Sequence, residues 1–173
     1  MLDGSVEIEE GSKRTTLAAG ASRLVTRGDA AELPPYEILL RGAKLTLGEA
    51  IARATQSAPG AVALHAELET DKGRIVFSIE IAVGARTLCL KLDARDGKIL
   101  DRDDDERDEE SKSRSATIPL AEAVERALRK APGRAVEAEM KASRIEVKVV
   151  VDGKLMKVRL DGRTGDILEL KED

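Results

Sequence analysis

The sequence predicts an α+β fold of two repeated units, each with one helix packed on a three- to four-stranded antiparallel meander. Three observations predict it. A helical pattern occurs twice at a constant offset, as Leu45-Thr-Leu-Gly-Glu-Ala-Ile-Ala-Arg-Ala54 and Ile118-Pro-Leu-Ala-Glu-Ala-Val-Glu-Arg-Ala127. Each copy is followed by runs that alternate apolar and polar with period two. Each copy closes on the same turn, Asp93-Ala-Arg-Asp-Gly97-Lys-Ile-Leu100 and Asp161-Gly-Arg-Thr-Gly165-Asp-Ile-Leu168. The expected organisation is a lead segment over 1–44, a first repeat over 45–100, an acidic linker over 101–117 and a second repeat over 118–173.

In the lead segment, Leu33-Pro34-Pro35-Tyr36-Glu37-Ile38-Leu39 lines up loosely with Ile118-Pro119-Leu120-Ala121-Glu122-Ala123-Val124 and marks a further helix start. Residues 1–20 read as a short strand around Val6 and Ile8 or as a disordered tail. The first repeat opens with a helix whose buried face is Leu47, Ala50, Ile51, Ala54 and Ala58, spaced i, i+3, i+4, i+7. Thr46 and Glu49 have the spacing of a capping box. Strands follow over Val62–Leu68, over Ile75–Ile81 with Phe77 and Ile79 inward, and over Thr87–Leu92.

The acidic run Asp101-Arg-Asp-Asp-Asp-Glu-Arg-Asp-Glu-Glu110 has no apolar periodicity and reads as solvated linker. In the second repeat Pro119 stands near the first helical position, where its missing N–H costs nothing. Leu120, Ala123, Val124, Ala127, Leu128 and Ala131 form the stripe. Both helices stop at Pro-Gly. The strands carry Val136, Ala138 and Met140, then Ile145, Val147, Val149 and Val151, then Met156, Val158 and Leu160, with Asp152-Gly153 as a two-residue hairpin. Each unit of about 55 residues is near the lower limit for independent stability, so the two are expected to pack together.

Composition narrows the function. The 173 residues include 33 acidic and 29 basic side chains, a formal net charge of −4. Counted along the chain, the charge is concentrated in residues 101–117. One Tyr, one Phe and no Trp leave no base-stacking platform, and the acidic balance lacks a phosphate footprint, so nucleic acid is excluded as a partner. A single cysteine, Cys89, excludes an intrachain disulfide, and a single histidine, His65, excludes a multi-histidine metal site. No apolar run approaches the roughly 18 residues that span a bilayer, and residues 1–20 hold no secretory-type apolar stretch.

The ordered combination of a Leu-x-x-Ala-x-x-x-Ala helix ending in Pro-Gly, alternating strands and the closing Asp-to-Gly-x-Ile-Leu turn, seen twice, resembles the PepSY domain. The resemblance covers residues 45–100 and 118–170. It implies a non-catalytic module of bacterial cell-envelope and secreted proteins, also found in propeptides of thermolysin-type metallopeptidases, with modulation or inhibition of a peptidase as the implied role. It brings no catalytic residue and no cofactor. It implies a periplasmic or envelope location, whereas the missing signal peptide leaves the cytoplasm open. Departures from the pattern are the scarcity of aromatics and Gly162 where the family often has Ala.

The candidate chemistry is weighed residue by residue. Asp93, Gly97, Asp161 and Gly165 read as turn chemistry. Asp101, Asp103 and Asp105 have the first spacings of a calcium loop, but Glu106 stands where Gly is needed and Lys112 where a bidentate Glu is needed, so no metal site is expected. His65 is expected on the outward row with Glu67 and Glu69, and Cys89 as a small semi-buried residue beside Lys91. An enzyme built on either has no supporting motif: phosphate-binding glycine loops, Gly-x-Ser-x-Gly elbows and His-Glu-x-x-His helices are absent. The outward rows of the second repeat are mixed in charge, and Glu137, Glu139, Glu146, Lys148, Lys157 and Arg159 are the candidate protein interface. The expected function is protein binding or regulation with another protein, such as a peptidase, as partner. The alternative is a structural or sensory envelope module that acts by self-association.

Overall fold

The computed structural model describes residues 35–106 and 116–173. The elements in chain order are α1 (Pro35–Gly42), α2 (Leu47–Gln56), β1 (Val62–Asp71), β2 (Arg74–Val83), β3 (Arg86–Asp93), β4 (Ile99–Glu106), α3 (Leu120–Lys130), β5 (Arg134–Lys141), β6 (Arg144–Val151), β7 (Lys154–Asp161) and β8 (Ile167–Glu172). The α+β class and the two meanders are present. The separate sheets expected for the two units are not: all strands form one eight-stranded antiparallel sheet in the order β4-β3-β2-β1-β5-β6-β7-β8.

The joint is the β1–β5 ladder, which pairs His65 with Glu139, Ala66 with Ala138 and Glu67 with Glu137. Ala66 and Ala138 are equivalent positions of the repeats, so an approximate two-fold axis passes between them. The reason for one sheet is economy of edges. Each meander alone would expose β1 or β5 as a bare apolar edge strand, a template for aggregation. Pairing them removes both edges.

The helices obey the same symmetry. The capping box is formed: Thr46 Oγ1 accepts from Glu49 N at 3.2 Å, and Thr46 N donates to Glu49 Oε2 at 2.8 Å. Side by side, α2 covers β1 and β2 while α3 covers β5 and β6 and reaches across to β1. Ala50, Ala54, Ala123 and Ala127 are fully buried beneath them, with Ala66 and Ala138 in the sheet below. Small side chains here let the helices and sheet approach closely, which is how a core with one Phe still fills.

Each of β1 and β5 carries a β-bulge at the same place, between Ala63 and His65 and between Ala135 and Glu137. The extra residue shifts the alternation by one. Ala63 and Leu64 are therefore both buried, as are Ala135 and Val136, and Val62 turns out to 50 % exposure where the uninterrupted period places it inside.

One expectation about the connecting segments needs correction. The acidic run was expected as linker from residue 101. Instead Asp101–Glu106 completes β4, an edge strand laddered on β3. Its helix-side positions beyond Ile99 are Arg102 and Asp104, both exposed, and among the described residues no helix packs over this edge. Apolar alternation is unnecessary where nothing is buried, and unbroken charge guards an edge against a further strand. Residues 107–115 of that linker lie outside the described residues.

The lead segment supplies α1, as the alignment with 118–124 anticipates, while the expected strand or tail over 1–20 lies outside the described residues. Across the end of the joint, α1 is held by Arg134, which donates to Leu40 O at 2.7 Å and to Ala43 O at 3.3 Å. A cation on the last carbonyls of a helix satisfies orphan acceptors and opposes the helix dipole.

Two glycines test this packing in opposite directions. A Cβ at Gly133 would overlap the Val150 carbonyl oxygen, whereas one at Gly48 in α2 meets nothing within 4 Å. Gly133→Ala is expected to cost about 1–3 kcal/mol, the usual price of overpacking against backbone. Gly48→Ala, which copies Ala121 of the second repeat, is expected to stabilise by up to about 0.5 kcal/mol. Paired denaturant titrations check both.

Candidate functional site

α2 and α3 occupy one side of the sheet, α1 crosses the end of the joint, and the opposite side of β5 to β7 carries rows of charged side chains. Register places the candidate residues on it in two adjacent transverse rows. One row passes from Glu139 through Glu146 to Arg159, and the other from Glu137 through Lys148 to Lys157. All six side chains are half-buried among one another, so the structure brings the whole predicted set together.

Their charges are paired. Lys148 faces Glu137 at 2.8 Å and Asp173 at 3.5 Å, and Asp173 also pairs with Lys157. Arg159 faces Glu146 at 3.0 Å and Glu169 of β8 at 2.7 Å, while Lys141 joins Glu139 and Glu146 at 3.0 and 3.3 Å. Burial alone would lower Lys148, but Glu137 and Asp173 outweigh it and raise its pKa. The Lys157 bond holds Asp173 below the usual carboxylate range. Burial pushes Glu146 up, and the bonds from Arg159 and Lys141 overcome this and lower it. Cross-strand pairs of this kind contribute about 0.2–1 kcal/mol each. Their larger effect is geometric, because long side chains that usually sample many rotamers are held in one pattern.

The neighbouring half of the face, from β1 to β4, is different. Among the described residues none of Glu67, Glu69, Glu80 and Asp103 makes an ion pair, and Lys91 is engaged by Asp71 at 3.1 Å. At the joint itself Glu67 lies directly opposite Glu137. Burial raises the Glu67 pKa, and the Glu137 carboxylate adds to the rise while His65 opposes it. Tyr36 of α1 reaches the same region, where burial pushes its hydroxyl up.

His65 is half-buried between Glu80 and Glu139, on the outward row with Glu67 and Glu69 as expected. Cys89 was expected to be semi-buried, but it is exposed, on the side of β3 that faces away from the core. Asp101 and Asp103 are neighbours on one side of a strand, strung out along it rather than curled round an ion. Among the described residues no three His, Cys, Asp or Glu side chains form a group able to hold a metal ion.

The turn residues act as a latch between helix and sheet, built twice. Asp93 Oδ1 accepts from Arg95 N at 2.8 Å, and Gly97 N donates to Asp93 O at 2.8 Å. Asp161 Oδ1 accepts from Arg163 N at 2.8 Å and Thr164 N at 2.9 Å, and Gly165 N donates to Asp161 O at 2.8 Å. Ala94 O then receives the amides of Lys44 and Leu45 that lead into α2, as Gly162 O receives those of Thr117 and Ile118 that lead into α3. From the helices, Arg53 reaches Asp96 O at 2.6 Å and Arg126 reaches Thr164 O at 2.9 Å. Gly97 and Gly165 have φ of 72° and 75°, and a Cβ on either would strike that arginine. Gly162 is explained similarly: a Cβ there would lie 2.7 Å from both Ala116 Cβ and Ser143 O.

On the helix side an apolar groove of about 380 Å³ lies between the start of α2 and the end of α3, walled by Leu47, Phe77, Val124 and Leu128. Its titratable lining is Glu49, Glu125 and Arg134, with Glu49 occupied in the capping box. Among the described residues no helix is long and apolar enough to cross a membrane.

Sequence reasoning placed the charged rows correctly but missed the Glu67–Glu137 opposition, the arginine latch and the clasp of Arg134 on α1. The first depends on which strands meet across the repeats. The latch had a readable signal, since Arg53 and Arg126 recur at the same point of both helices.

The joint has a pH signature. With a raised folded pKa, Glu67 penalises the folded state when ionised at neutral pH and is relieved as pH falls through that value. Glu67→Gln is therefore expected to raise Tm at pH 7, with the gain shrinking as pH enters the carboxylate range. Thermal melts of both forms across pH check this. A constant difference at all pH values counts against it.

Comparison with known proteins places these features. The family model PepSY, described as "Peptidase propeptide and YPEB domain", matches residues 44–103 and 117–171. A crystal structure of a protein of Clostridium difficile 630 described as a lipoprotein is 17 % identical, with a TM-score of 0.47, covering 79 % of this chain and 98 % of that one. The YpeB C-terminal domain of Bacillus megaterium is 14 % identical, with a TM-score of 0.29, covering 75 % of this chain and 64 % of that one. The curated proteins hold no match.

Proposed function

The chain belongs to the PepSY family, and from that premise we propose that it is a non-catalytic protein-binding module of the bacterial cell envelope that modulates or inhibits a peptidase. The observation that carries this reading is the charged face of the second repeat. Its strands present two polar rows there, and among the described residues α2 and α3 pack on the other side of the sheet. The six residues Glu137, Glu139, Glu146, Lys148, Lys157 and Arg159 are fixed there by their own ion pairs. A surface whose long side chains are already ordered loses less rotamer freedom when a partner covers it.

The envelope location rests on the family alone. A peptidase partner is supported by the family's occurrence in peptidase propeptides, and the mixed charge of the face suits docking that is steered and specified by charge. The family match supports the non-catalytic reading.

Inhibition of a panel of thermolysin-type metallopeptidases by micromolar protein tests the proposal, together with binding of any inhibited enzyme. Lys157→Glu combined with Arg159→Glu is expected to weaken the complex at least tenfold, about 1.4 kcal/mol, while the melting transition is retained. No inhibition across the panel, or a complex indifferent to the double reversal, overturns it.

A further inference from the structure

The two outer strands hold equivalent positions in the two repeats, and their sequences treat that position in opposite ways. β4 continues from Ile99 and Leu100 as Asp-Arg-Asp-Asp-Asp-Glu, and β8 from Ile167 and Leu168 as Glu-Leu-Lys-Glu. Both have one strand neighbour among the described residues. We propose that β8 is a strand-addition edge for a second copy of this chain, so that two molecules join about a two-fold axis at Leu170 into a continuous sixteen-stranded sheet.

The ladder phase permits that axis. Asp173 N donates to Leu155 O at 2.9 Å, which makes residues 173, 171 and 169 the ones whose backbone groups point towards β7. The N–H and C=O of Leu170 and Glu172 therefore point away from the sheet. Antiparallel pairing of Leu170 with Leu170 of the second copy uses those groups in both directions. It sets Glu169 opposite Lys171 of the second copy, and Lys171 opposite its Glu169, in the closely spaced pairs of an antiparallel ladder.

The side chains agree with the backbone. Glu169 and Lys171 lie on the charged face, where the Lys171 side chain is 46 % exposed and pairs, among the described residues, with Glu169 at 3.6 Å. Leu170 lies on the helix side beside the fully buried Val158 and is 38 % exposed. The pairing covers it with its own copy and extends the apolar row.

β4 refuses the same arrangement. Its equivalent of Leu170 is Arg102, and pairing about Arg102 sets Asp101 opposite Asp103 twice. One edge is self-complementary and the other self-repelling, so association closes at two copies instead of growing into a fibre. A six-residue edge is smaller than a standard interface, so the dimer is in reversible, concentration-dependent exchange.

Sedimentation of the full chain over a range of concentrations tests this. The expected result is a monomer of 18.6 kDa in exchange with a species of twice that mass. Lys171→Glu is expected to weaken the dimer at least tenfold, and Lys171→Arg to retain it. Leu170→Pro, which removes an N–H that the β7 ladder does not use, is expected to abolish it. Should the proline variant lose its melting transition, the exposed Lys171→Glu change decides. A monomer at every soluble concentration overturns the proposal, as does a dimer that neither Lys171→Glu nor a folded Leu170→Pro weakens.

Discussion

Three residue pairs between β1 and β5 hold the rest of the molecule in its arrangement. At Ala66 and Ala138 the two repeats meet along a single short ladder, and this joint turns two marginal meanders into one sheet. Everything that crosses the centre rests on it. α2 and α3 can lie side by side only because alanines floor and line the space between them. α1 can bridge the repeats only because Arg134, at the start of β5, presents its guanidinium to the last carbonyls of that helix. Small side chains in the core and one well-placed cation at its rim replace the aromatic bulk that this chain lacks.

The joint also organises the charged face electrostatically. From β5 to β8 carboxylates and cations alternate closely enough to neutralise one another, and the lowered pKa values of Glu146 and Asp173 record that pairing. Among the described residues from β1 to β4, Glu67, Glu69, Glu80 and Asp103 make no ion pair. Glu67 and Glu137 meet where the halves join, and burial together with like charge raises Glu67. Acidification therefore acts on the two regions with opposite signs. It removes repulsion at the joint and weakens the ion pairs of the second half as their carboxylates protonate. Such a face is ordered in shape and uneven in charge, which suits recognition of a partner by complementarity more than by apolar burial.

The turn that closes each repeat serves the fold. Asp93 and Asp161 close their turns, the adjoining carbonyls take the amides that lead into each helix, and Arg53 and Arg126 reach down to the same turns from the helices. Each latch ties the start of a repeat to its end. The closing glycines are required both by positive φ and by the arginine that passes over them.

Much of this was legible in the chain. Two helices, the capping box of the first, six of the eight strands among the described residues, the hairpin at Asp152-Gly153 and the charged rows on the second repeat all follow from local period and turn chemistry, which depend only on neighbours in sequence. The acidic run was misread because an edge strand needs main-chain partners and no apolar face, and hydropathy cannot report a partner. The bulges at Ala63 and Ala135 were hidden because one inserted residue reverses the alternation that identifies a strand. The sequence by itself determined the repeat, its helices, its turns and the charged rows of the second repeat. Only the tertiary structure decided that the repeats share one sheet, that Glu67 faces Glu137 and that β4 and β8 are the edges. The physical reason is that strand pairing is a long-range choice, made by backbone groups that every residue carries and by the burial that the whole assembly permits.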